Sequence, residues 1–152
     1  MCPLVVLGLG SNLGDSRRII LDAIKALEEV LTELRSASLY ETEPMYVTDQ
    51  ARFINTAVTG FYSASPGELL SCIHDIESRF GRDRSRERRW GERYLDIDIL
   101  LFGDLVLKEP GLEIPHPRLK ERLFALEPLL ELLPDAAEPG TGLSYRSACQ
   151  AL

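Results

Sequence analysis

Long apolar runs, paired cysteines and excess positive charge are all scarce in this 152-residue chain, and each scarcity narrows what it can do. No stretch approaches the ~20 apolar residues that a membrane-spanning helix needs, and no basic N-terminal region leads into a signal-like apolar segment. A soluble, cytoplasmic protein without a membrane partner is expected. Cys2, Cys72 and Cys149 are an odd number without the spacing of a zinc site or a disulfide framework, which agrees with a reducing compartment. With 17 basic against 24 acidic residues the net charge is −7, which argues against protein-wide attraction to nucleic acid, and no nucleic-acid partner is expected. Internal repeats, low-complexity tracts and long linkers are missing too, so one domain over residues 1–152 is expected.

Positive charge is instead concentrated in one place. Residues 79–93 hold seven arginines against Asp83, Glu87 and Glu92, a net of +4, which leaves −11 on the rest of the chain. Such a patch recognises an anion locally.

Hydrophobic periodicity sets out the elements. Residues 3–9 read as a buried strand that stops at "GSNLGD", with Asp15 as a helix cap, and Gly8, Gly10 and Gly14 of "GLGSNLG" read as a backbone turn. Apolar residues at Ile20, Ile24, Leu27, Leu31 and Leu34 predict an amphipathic helix over 16–34. Residues 36–44 predict a strand closing at Pro44, and 53–62 a β-branched and aromatic strand. Ser65, Pro66 and Glu68 form a capping box at the start of a second helix with its apolar face on Leu69, Leu70, Ile73, Ile76 and Phe80. Residues 94–102 predict a third long strand, with Gly103–Asp104 as a tight hairpin turn into 105–107. The last third reads as short helices broken by Pro128 and Pro134. The order strand, helix, strand, strand, helix, strand predicts an α+β fold: a ferredoxin-like antiparallel sheet packed with helices in α/β/α layers.

Within 94–102, Asp96 and Asp98 alternate with Leu95, Ile97 and Ile99, so the two carboxylates point to one face of the strand. Side by side they repel each other unless solvated, paired with arginine or bridged by a hard divalent cation such as Mg²⁺. The arginine run in front of them favours the last case, because guanidinium groups match phosphate oxygens bidentately. A metal and an arginine cluster together are what transfer from a polyphosphate needs: positioning and neutralisation of charge. His116, between Pro115 and Pro117, sits on a rigid turn. Phe53, Phe124 and Trp90 could cage a flat heterocycle, and Asn55, on the same strand face as Phe53, could bond its edge. No G-x-x-x-x-G-K-[ST] loop and no Ser/His/Asp or Cys/His nucleophile system is present.

The segments "GLGSNLGD", "YETEP", "FINTAV", "RRWGERYLDIDILLFG" and "IPHPRLKERLFALEPLLEL" together resemble the 6-hydroxymethyl-7,8-dihydropterin pyrophosphokinases of folate biosynthesis over nearly the whole chain. The resemblance implies a monomer that moves pyrophosphate from ATP to the pterin hydroxymethyl group and releases AMP. It implies that Asp96 and Asp98 hold two Mg²⁺ ions with the triphosphate. Arg82 and Arg93 would stabilise charge during transfer. Arg84, Arg88, His116 and Arg122 would contact phosphates, Ile99 would wall the adenine, and His74 and Glu77 would lie on the nucleotide side. Phe53 and Phe124 would sandwich the pterin, Asn55 would bond its edge, Trp90 would close over it, and Thr42, Pro44 and Met45 would line its pocket, with Ser11 and Asn12 as supports. The chain departs from the family pattern at His74, Phe53 and Glu92, and a longer run before Trp90 leaves Arg88 and Arg89 as alternatives for one phosphate contact. A nucleotidyltransferase would also use a D-x-D strand, but its "GS" element lies close to that strand, whereas here they stand about 85 residues apart. An anion- or RNA-binding module built on the arginines would show a steep salt dependence.

Overall fold

The computed structural model of the chain describes residues 2–12, 14–42, 53–80 and 95–152. The first strand, β1 (Leu4–Ser11), buries Val5, Leu7 and Leu9 on one sheet face. Asp15 caps α1 (Ser16–Leu27), accepting from the Arg18 N–H at 3.4 Å. The helix expected over 16–34 therefore ends early, and Thr32–Ser36 is a strand, β2. Leu31 and Leu34 keep the leucine spacing because they face the same core layer as the helix, not because the helix continues. Gly60 leaves room for this packing, since a Cβ there would stand 2.7 Å from the Leu31 Cβ.

The strand expected over 36–44 is found as β3 (Tyr40–Thr42), separated from β2 by a break at residues 37–39. The break is fastened to the sheet, with the Ala37 N–H donating to the Ala57 carbonyl and Thr56 Oγ1 donating to the carbonyls of Ala37 and Ser38. β4 (Phe53–Phe61) pairs from Ile54 to Phe61 with β1, and on its other edge with β2 and then β3. α2 (Pro66–Arg79) starts as its capping box predicts, with Ser65 Oγ accepting from the Glu68 N–H at 3.2 Å. β5 (Asp96–Phe102) completes the sheet, whose order is β2-β4-β1-β5 with every pairing antiparallel. Each helical crossover skips one strand, the split βαβ arrangement of the ferredoxin-like fold.

The sheet is covered on both faces, giving the expected α/β/α layers. α1 and α2 place Ile20, Leu27, Leu69 and Ile73 against Val5, Leu7, Ile97 and Ile99. On the other face α3 (Leu123–Leu132) and α4 (Tyr145–Gln150) place Leu126, Leu129 and Tyr145 against Val6, Ala57 and Leu100. Pro128 does not break α3. Its ring removes one helical hydrogen bond, but it is buried with Leu126, Leu129 and Leu132, and that packing holds the helix until Leu133 and Pro134 end it.

The hairpin also falls elsewhere than expected. Gly103, at φ 54, turns the chain and still donates its N–H to the Leu4 carbonyl, yet among the described residues no strand folds back onto β5. The outer edge of β5 is occupied instead by the segment at His116, whose N–H donates to the Leu100 carbonyl at 3.0 Å. The ribbon is made by β6 (Leu107–Glu109) and β7 (Leu112–Ile114), which pair with each other around Pro110–Gly111, Gly111 having φ 79. No described helix is long and apolar enough to cross a membrane.

Candidate active site

Cross-strand register puts a strip of missing side chains down the face under α3. Gly10 lies between Asp96 of β5 and Asn55 of β4, and Gly8 between Asp98 and Ala57. Paired residues share a face, so the two carboxylates lie beside a stretch of β1 that carries no side chain on that face. The backbone turn expected at Gly8 and Gly10 is absent: both are inside β1, and Gly14 alone of the three, at φ 76, turns the chain. What the two glycines supply is room. A Cβ at Gly10 would stand 2.9 Å from Asn55 Oδ1, and one at Gly8 3.3 Å from Leu100 Cδ1.

Asp96 and Asp98 are half-buried on this face, as their i, i+2 spacing predicts. Arg122 reaches them from the N-terminal boundary of α3, its Nη1 standing 3.9 Å from Asp98 Oδ2. The same guanidinium lies 5.6 Å from the centroid of the Phe124 ring, a cation–π distance. Two aspartates on one pleat side are hard oxygen donors, which suits Mg²⁺, an ion that keeps several ligands from water and phosphate. Among the described residues no group of three or more His, Cys, Asp or Glu side chains gathers as a metal site, so such an ion would complete its shell from water or substrate oxygens.

His116 is fixed by backbone contacts at both ends. Its N–H bonds the Leu100 carbonyl, and its Nδ1 accepts from the Arg118 N–H at 3.1 Å. With Nδ1 accepting, the neutral ring carries its proton on Nε2. Burial, then the nearby Arg122 charge, push its pKa down to about 4, with Asp96 opposing and Arg118 adding a smaller decrease. At neutral pH His116 is therefore an uncharged Nε2–H donor.

Asn55 is only 5% exposed, and its Nδ2 donates to Thr42 Oγ1 at 2.8 Å, which fixes the amide orientation. Phe53 pairs with Thr42 across β3 and β4, and with Asn55 it shares the face of the carboxylates. Ser11 and Asn12 are buried at the end of β1, where the Ser11 hydroxyl has no hydrogen-bond partner among the described residues.

The outer side of β5 opens onto a cleft of about 630 Å³. Leu70 and His74 of α2, Ile97 and Ile99 of β5, and the β6–β7 ribbon line it, and Asp98 and His116 stand at the rim common to the cleft and the glycine-floored face. His74 is exposed there, while Ile99 is 5% exposed. Glu77 does not open into the cleft: it is 2% exposed, and its Oε2 accepts from the Ile97 N–H at 2.9 Å, between the two aspartates along the strand.

The structure thus gathers Thr42, Phe53, Asn55, Asp96, Asp98, Arg122 and Phe124 on one face, and His74, Ile99 and His116 around the adjoining cleft. Pro44, Met45, Arg82, Arg84, Arg88, Arg89, Trp90, Glu92 and Arg93 lie outside the described residues. Two features were not expected. The β6–β7 ribbon lines the cleft, and its signal in the sequence was the turn dipeptide Pro110–Gly111. Glu131 bonds Ser38 and Tyr40 from α3, and no local pattern announces that contact.

Comparison with known proteins gives the geometry its context. The family model for 7,8-dihydro-6-hydroxymethylpterin-pyrophosphokinase (HPPK) matches residues 6–134. The 2-amino-4-hydroxy-6-hydroxymethyldihydropteridine pyrophosphokinase of Bacillus subtilis is 40% identical over 143 residues, covering 93% of this chain and 84% of that protein. The enzyme of the same name from Aquifex aeolicus is 42% identical over 136 residues, covering 89% and 83%. The mitochondrial folate synthesis bifunctional protein of Pisum sativum is 41% identical over 144 residues, but the chain spans only 28% of its length. Among solved structures, wild-type HPPK-DHPS of Plasmodium falciparum superposes with a TM-score of 0.77 at 16% identity, over 99% of this chain and 45% of that one, a likeness of fold. The chain belongs to the 6-hydroxymethyl-7,8-dihydropterin pyrophosphokinase family, the ATP-dependent pyrophosphoryl transferases of folate synthesis.

Proposed function

We propose that this chain transfers the β,γ-pyrophosphoryl unit of ATP to the hydroxymethyl oxygen of 6-hydroxymethyl-7,8-dihydropterin and releases AMP. The observation that carries the reading is Asp98 standing at the junction of two recognition surfaces, with Asp96 beside it on the first. One is the face of Thr42, Asn55, Phe53 and Phe124; the other is the cleft of His74 and Ile99. A triphosphate crossing that rim would bring its β-phosphorus to the acceptor hydroxyl.

On the pterin side, Asn55 Oδ1 and its second amide hydrogen are the groups that would read the heterocycle edge, since the first hydrogen is held by Thr42. Phe53 and Phe124 would stack on its faces. On the nucleotide side Ile99 would wall the adenine beside His74. His116 would donate its Nε2–H to a phosphate oxygen without bringing a charge of its own. The Arg122 guanidinium, already beside Asp98, would turn its remaining donors to the same phosphates. Glu77 would act from behind, holding the strand that carries the aspartates. Two Mg²⁺ ions, held by Asp96 and Asp98, would supply neutralisation of the triphosphate charge and in-line alignment. Arg82, Arg93, Arg84 and Arg88 would add positive charge at the transferred group, and Trp90, Pro44 and Met45 would enclose the pterin.

The test is incubation with ATP, Mg²⁺ and the hydroxymethyl pterin while AMP is followed. AMP release that depends on the pterin is expected; ADP as product, or pterin-independent release, refutes the reading. Asp96→Ala and Asp98→Ala should each lower turnover on the order of 100-fold or more, the loss of several kcal/mol of charge stabilisation.

A further inference from the structure

Glu131 sits in the last turn of α3, where a negative charge opposes the helix dipole and where no basic residue offsets it. Exposed as it is, its side chain could have turned to water. Instead one carboxylate gathers three donors from a segment more than 90 residues away. The Ser38 N–H reaches both oxygens at 2.9 and 3.2 Å, Ser38 Oγ reaches Oε2 at 3.2 Å, and the Tyr40 hydroxyl reaches Oε1 at 2.6 Å. The bonds leave their mark on both partners, Glu131 being held below the usual carboxylate range by the Tyr40 bond and Tyr40 being pushed up to about 12.

The segment it grips leads into the strand that orients Asn55. β3 is three residues long and among the described residues pairs only with β4, with Tyr40 opposite Asn55 and Thr42 opposite Phe53. On the β4 side Thr56 Oγ1 bonds the Ala37 and Ser38 carbonyls. On the other side Glu131 supplies the hold that a further strand would otherwise give. Phe124 lies seven residues before Glu131 on α3, two turns earlier and on the same stripe, about 10 Å along the axis. One helix thus carries an aromatic ring at one end and clamps β3 at the other.

We infer that Glu131 is a positioning residue for the acceptor site, fixing Thr42 and Asn55 relative to Phe124 through its bonds to Ser38 and Tyr40. The inference rests on the reading that Thr42, Asn55 and Phe124 receive the pterin.

The test is steady-state kinetics on the full chain with each substrate varied in turn, accompanied by thermal unfolding. Glu131→Ala should raise the pterin KM about tenfold, the worth of one charge-assisted bond to a positioned group, with the ATP KM and kcat within about twofold of wild type. Glu131→Gln, which keeps an acceptor for the Ser38 N–H, should fall between. Tyr40→Phe, which removes one donor and leaves the backbone bonds, should move the pterin KM in the same direction should Glu131→Ala fold poorly. Unchanged pterin KM in both variants, or equal loss for both substrates accompanied only by a lower Tm, overturns the positioning role. Asn55→Ala in the same assay separates the two layers. A raised pterin KM there beside a silent Glu131→Ala defeats the positioning role alone, whereas a wild-type pterin KM in Asn55→Ala defeats the acceptor-site reading and this inference with it.

Discussion

The depressed pKa of His116 makes a prediction about stability as well as protonation. An unfolded histidine titrates near 6.5, whereas burial and Arg122 hold the folded ring down to about 4. Between those values the unfolded chain binds a proton that the folded ring refuses, so stability falls as pH drops through 6.5 toward 4 and loses nothing more from this group below that. At pH 5 the full difference would be about 2 kcal/mol. Because the ring keeps some solvent contact, about 1 kcal/mol is the figure to expect. The ring itself is followed by its Cε1–H resonance in NMR, titrated without added Mg²⁺. The energy is measured by urea unfolding of wild type and His116→Asn at pH 7 and pH 5. The variant should lose about 1 kcal/mol less than wild type between the two pH values. A titration midpoint near 6.5, or the same loss in both proteins, would refute the account of burial and Arg122 holding the proton off His116.

Two further perturbations probe the frame around the carboxylates. Glu77→Ala leaves the buried Ile97 N–H without its acceptor, which should lower stability by about 1–3 kcal/mol in urea unfolding. Glu77→Gln, which keeps a carbonyl oxygen there, should recover most of it, and a silent alanine variant would show that the bond holds nothing. Gly10→Ala puts a Cβ 2.9 Å from Asn55 Oδ1, and because that amide is tied to Thr42 it must yield. A pterin KM raised several-fold, with a stability loss of about 1–3 kcal/mol, is expected; wild-type kinetics would mean that the floor has slack.

The element order and the antiparallel sheet could be read from the sequence because each rests on local chemistry: the capping box at Ser65, the period of two in β5, the helical stripe from Ile20 to Leu27. The errors came where a tertiary partner overruled a local pattern. Leu31 and Leu34 extend the leucine spacing of α1, yet Leu31 follows the end of the helix and packs closely on Gly60 of β4, and Leu34 lies in β2. Gly103–Asp104 has hairpin chemistry, but the edge it would fold onto is held by the backbone at His116. Pro128 would break an isolated helix, and in α3 its burial compensates for the missing bond. The contact of Glu131 with Tyr40 spans 91 residues and leaves no periodic trace.

The aspartates were legible for a reason that also marks where such reading stops. Alternation holds along β5 from Asp96 to Ile99, so carboxylates face α3 while Ile97 and Ile99 face α2. At Leu100 the register against β1 slips by one residue, with Leu7 opposite Ile99 but Val6 opposite Leu101. After the slip Leu100 and Leu101 both join the layer under α3, and Phe102 returns to the layer of α2. Strict alternation would have sent Leu101 to the α2 side and Phe102 to the α3 side. The bulge lets one edge strand begin as the border of a polar face and end as part of a hydrophobic core. The candidate site lies at the Asp96 end of β5, where the alternation is intact and the opposing residues are Gly8 and Gly10.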